Sequence, residues 1–68
     1  MNTAAPLTSQ TITHAAVTGD VAYLGAHIAR IERKVANARK VNTAAARMFV
    51  EAGTARLADL RNALAVAA

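Results

Sequence analysis

From Val21 onward the large apolar residues of this chain recur at spacings of three and four: Val21, Leu24, Ile28, Ile31 and Val35. That period places them on one stripe of an α-helix, and the same stripe runs on through Ala38, Asn42, Ala45, Phe49 and Ala52 if the helix continues. Written as heptads, Val21, Ile28, Val35, Asn42 and Phe49 fall at position a, and Leu24, Ile31, Ala38, Ala45 and Ala52 at d. The register fails next, because Arg56 and Asp59 would sit on the seam while Leu57, Leu60 and Leu64 form an apolar face of their own. Gly53-Thr54 lies at this phase change. Glycine suits the left-handed position after a helix and Thr54 is an acceptable N-cap, so a turn near residue 53 is the first reading. A continuous helix with a four-residue stutter is the second.

Before Val21 the pattern differs. Residues 1–19 carry no charged side chain, include five threonines and hold few large apolar groups. They read as an uncharged extended arm, with the alternation Thr11-Ile12-Thr13-His14 as a candidate strand that would have to add to another sheet. Thr18-Gly19-Asp20 is a helix-start signal. The chain therefore divides into an arm, residues 1–19, and an alanine-rich basic helical segment, residues 20–68. The fold class is all-α: an extended N-terminal arm followed by one long amphipathic helix or by a helix-turn-helix hairpin broken near Gly53.

Composition adds a constraint. Of the 68 residues, 19 are alanine, and only 18 are larger hydrophobic groups. A chain this short buries only about 60% of its unfolded surface, and an alanine methyl contributes far less than the roughly 1.5–3 kcal/mol of a buried Leu or Phe. Small scaffolds make up such a deficit with disulfides, a metal or association. There is no cysteine, so association is the expected device, through a protein interface made of Val21, Leu24, Ile28, Ile31, Val35, Asn42, Phe49, Leu57, Leu60 and Leu64. Asn42 has two readings. A buried Asn at an a position pairs with its own copy and sets register; alternatively Asn42-Thr43 is a helix end and an N-cap, starting a helix at Ala44.

The charge is clustered. Arg30, Arg33, Lys34, Arg39, Lys40 and Arg47 lie within eighteen positions that contain one acid, Glu32. Arg33, Lys40 and Arg47 repeat every seven residues opposite the apolar stripe, a line suited to an anionic partner: an acidic protein, a phosphate backbone or an anionic surface. The same line also reads as a solvated face that keeps an alanine-rich helix in solution.

Other chemistry is hard to build. His14 and His27 are too few and too far apart for a metal site. Asp20, Glu32, Glu51 and Asp59 are the only acids, with no nearby base or nucleophile, and a chain of this size has little room for a substrate pocket. No enzyme, cofactor or small-molecule substrate is expected. No run approaches the eighteen apolar residues of a membrane span, and residues 1–19 lack the basic start of a secretory signal. The expected location is the cytoplasm, or a particle assembled there. These readings lead to a non-enzymatic structural protein, a small helical subunit in a larger multi-subunit particle, with other protein subunits as partners. Minor capsid, cement and tail-associated components of phage or virus particles have this economy. The alternative is a small basic dimeric nucleic-acid-binding protein using the Arg30 to Arg47 face.

Overall fold

The structure is a computed structural model that describes residues 7–68. It contains three helices, α1 (Ser9–Thr18), α2 (Val21–Ala38) and α3 (Ala44–Ala67), and no strand among the described residues. The first six residues of the expected arm lie outside the described ones. Of the rest, Thr8 is extended as an N-cap but Ser9–Thr18 is helical, so Thr11-Ile12-Thr13-His14 is not a strand. Two local devices explain the correction. Thr8 accepts a hydrogen bond from the Thr11 amide (3.1 Å), and the Thr11 hydroxyl accepts one from the Thr8 amide (2.8 Å). This is a reciprocal capping box with threonine where glutamate or glutamine is usual. Ile12 and Ala15 are then buried, with Leu7 and Ala16 packed beside them. That three- and four-residue spacing is helical, and it is what overrides the poor helix propensity of the threonines.

Gly19 closes α1 at φ 74°, the left-handed region where a β-carbon is costly. Its amide donates to the Ala16 carbonyl (3.4 Å), while the Asp20 amide donates to that of Ala15 (2.8 Å), the paired bonds of a Schellman ending. Asp20 at once caps α2 by accepting from the Tyr23 amide (3.1 Å).

The chain reverses at residues 39–43, not at Gly53. Lys40 and Val41 donate back to the carbonyls of Asn37 and Ala38 (3.1 and 3.0 Å), and Thr43 caps α3 by accepting from Ala46 (3.1 Å). Asn42-Thr43 is therefore the helix boundary, with α3 beginning at Ala44. α3 runs unbroken through Gly53, so neither a single long helix from Val21 nor a hairpin broken at residue 53 is correct. The apparent phase change marks two separate helices, each with its own apolar face.

Gly53 has another role. A β-carbon placed there would stand 2.5 Å from Val35 Cγ2 and 3.6 Å from Ile31 Cγ2. The glycine lets α3 lie directly on α2, at a propensity cost of about 1 kcal/mol, and Val35 is buried beneath it. Towards the other end of this antiparallel pair, Leu24 and Leu60 are fully buried and join Ile12, Ala15 and Ala63 in the main core. α1 lies there, more on α3 than on α2, and the Tyr23 hydroxyl meets Thr11 Oγ1 at 3.1 Å. An ion pair between Arg61 and Glu32 also joins α2 to α3. Both side chains are about half exposed, so its contribution is at most about 1 kcal/mol.

Gly53→Ala should lower the urea midpoint, because overpacking costs about 1–3 kcal/mol against a helix-propensity gain of about 1 kcal/mol. Val35→Ala should cost less in the Gly53→Ala background than in the wild type. Additive losses would show that the two positions do not meet.

Candidate interaction surface

Most of the apolar stripe expected at an interface is folded inside the chain. Leu24, Val35, Leu57 and Leu60 are buried, and Ile28, Ile31 and Leu64 are half-buried around the same core. Val21 and Phe49 remain 45% and 44% exposed. Asn42 is exposed in the turn between α2 and α3, where its Oδ1 accepts from Arg47 Nη1 (3.2 Å). It occupies no helical seam, since no helix passes through it.

All six clustered cations are exposed, but they do not form one helical line. Arg30, Arg33 and Lys34 project from α2, Arg39 and Lys40 belong to the turn, and Arg47 stands in the first turn of α3. Arg33, Lys40 and Arg47 therefore lie on three different elements. The reversal of the chain gathers the cations all the same, at the turn end of the hairpin. Residues 30–56 hold seven basic side chains and two acids, leaving Arg61, Asp20 and Asp59 for the rest of the chain. The ion pair of Glu32 is with Arg61, and none of the six cations has an ion-pair partner among the described residues.

Two features of this end lie outside the heptad pattern. Val41 and Met48 are 51% and 69% exposed, and a shallow depression beside them is lined by Ala38, Arg39, Val41, Arg47, Val50 and Glu51. The heptad assignment hid them because Val41 follows the true end of α2 and Met48 faces about 140° around α3 from Gly53. Arg56, which broke the expected seam, is half-buried in α3.

Coverage separates the two ends. α1 has 10 residues against 24 in α3, or about 15 Å against about 36 Å at 1.5 Å per residue, and it sits against the C-terminal half of α3. Among the described residues the turn end is thus a two-helix layer with apolar and cationic groups open to solvent.

Among the described residues no group of three or more His, Cys, Asp or Glu converges as metal ligands, and no helix is long and apolar enough to cross a membrane. His14 is exposed on α1. His27 lies edge-on to Tyr23, ring centres 4.6 Å apart, and its imidazole is held below the ordinary value, first by partial burial and then by the neighbouring Arg30 charge. The unfolded chain takes up that proton more readily, so the contribution of His27 to stability is present above about pH 6.5 and is lost as the pH falls below it through the lower folded value. The thermal midpoint should drop between pH 7.5 and pH 5.5 in the wild type and drop less in His27→Gln; equal drops would remove His27 as the cause. No family model, curated protein or solved structure matches this chain.

Proposed function

We propose that this chain is a non-enzymatic assembly protein, a small helical subunit that packs the turn end of its α2–α3 hairpin against another protein in a larger particle. The observation that carries this reading is the combination at that end of ion-unpaired cations with exposed Val41, Met48 and Phe49. Exposed apolar groups beside like charges add nothing to the stability of a monomer, and they suit a surface that becomes buried on association. A small, weakly stabilised core, with seven buried residues among the described ones, two of them alanine, favours the same reading, since association supplements folding in such scaffolds. The size and economy of the chain fit a minor component of a phage or virus particle.

Nucleic-acid binding is the second reading, and the cation excess of residues 30–56 supports it. It is weaker on one ground: Phe49 is the sole aromatic side chain at this end, which leaves little to stack on bases.

In extracts of its natural source, tagged chain should sediment in a high-mass fraction that survives nuclease treatment. Release by nuclease, with retention that falls steeply as salt rises, would transfer the assignment to nucleic acid. A free monomer at native concentration would end the assembly reading.

A further inference from the structure

We infer that the flank of the hairpin that the described residues leave open beyond α1 receives an acidic amphipathic helix from a partner protein; this rests on the assembly reading and names the chemistry of the partner. α1 itself defines the flank. It seats Ile12 and Ala15 on Leu24, Leu60 and Ala63 and is tied to Tyr23 through Thr11. On α2, Tyr23, His27, Arg30 and Lys34 follow at i, i+4, i+7 and i+11, a single row. Arg30 lies near enough to His27 to shift its titration, as that row requires. On α3, Ala63, Arg56 and Phe49 stand seven residues apart, also in one row. Ala63 lies in the core that α1 completes. The rows continue past α1 by about 20 Å on α3 and about 12 Å on α2, the differences between the helix lengths at 1.5 Å per residue.

The open stretch has a defined chemistry. Arg30 and Lys34 border it on α2 and Arg56 on α3, none of them with an ion-pair partner among the described residues. Between them lie half-buried Ile31 and partly exposed Phe49. Neither nearby acid neutralises this flank. Glu32 is turned to Arg61, and Glu51 belongs to the depression with Arg39, Val41 and Arg47, about 200° around α3 from Phe49.

Charge selects among occupants. A second copy presenting the same flank would set Arg30, Lys34 and Arg56 against their own like charges, and α1 has no acid to offer. A phosphate backbone would answer the three cations while leaving Ile31 and Phe49 without an apolar counterpart. An amphipathic helix with an apolar stripe bordered by Glu or Asp satisfies both, and it repeats at this end the seating that α1 has at the other.

The test uses the full chain, isotope-labelled for amide NMR, and three probes: a helical peptide of about 14 residues with a Leu/Ala stripe flanked by glutamates, the same peptide with lysines, and a short DNA duplex. The glutamate peptide alone should bind, moving amides of residues 27–38 and 45–56, and Arg30→Glu/Lys34→Glu should weaken it by at least about tenfold. Adding Arg56→Glu should weaken it further, and circular dichroism of each variant reports whether the helices persist. No binding of the glutamate peptide, equal binding of the lysine peptide, shifts confined to the turn, or tighter binding of the duplex on the same residues would each overturn the inference. Sedimentation of the Arg30→Glu/Lys34→Glu chain separates the two levels. If it enters the particle as the wild type does, the flank is wrong while assembly stands. If the wild type itself never enters, the assembly reading fails first.

Discussion

The close crossing of α2 and α3 at Gly53 sets the form of the whole molecule. With so few large side chains, the hairpin gains cohesion by bringing backbones together, and the void of a missing β-carbon at residue 53 is filled by Val35 Cγ2. Dispersion then acts over many small contacts rather than a few large ones. The crossing also fixes where each helix turns its remaining groups. Leu57, Leu60 and Ala63 meet α2 and α1, Arg61 falls on the flank of Glu32, and Phe49 and Arg56 fall on the flank α1 only half covers. A wider crossing would leave Leu24 and Leu60 too far apart to exclude water, and both are fully buried.

Helical class was legible in the sequence, because a 3.6-residue period survives even when half of the apolar positions are alanine. The boundaries were less so. Gly53-Thr54 carries every mark of a helix end, but those marks describe a backbone option, and a glycine beside a partner helix serves packing instead. Residues 39–43 hold no glycine or proline, so the turn there rests on Thr43 as N-cap and on side chains that tolerate solvent. α1 was illegible for a different reason. Its helix depends on Leu24, Leu60 and Ala63, which lie outside the segment, and local propensity for five threonines among nineteen residues points away from helix.

The candidate surface shows the same division. The cations were visible as a cluster, and their exposure follows from their chemistry. Their arrangement was not, since a heptad line exists only along an unbroken helix. The reversal at residues 39–43 replaced one long line with a compact basic end, which concentrates potential instead of spreading it along about 30 Å of helix.

That concentration gives the chain a polarity. The core at the end where α1 packs is built from uncharged residues, with Asp20, Asp59 and Arg61 left at the surface, so its burial desolvates no ion, and the cost that charge imposes on a small core is avoided. The turn end keeps the cations solvated and has few buried groups, Val35 among them. On the proposed reading, recognition draws mainly on charged residues that the core does not use. Substitution of Ile12, Leu24 or Leu60 acts on stability through the core, whereas Arg30 and Lys34 can change sign at little cost to the fold because their charges face water. A chain with so little core gains from this separation: a binding surface cut into the packed end would expose apolar area the fold needs, and one placed on the thin two-helix end does not.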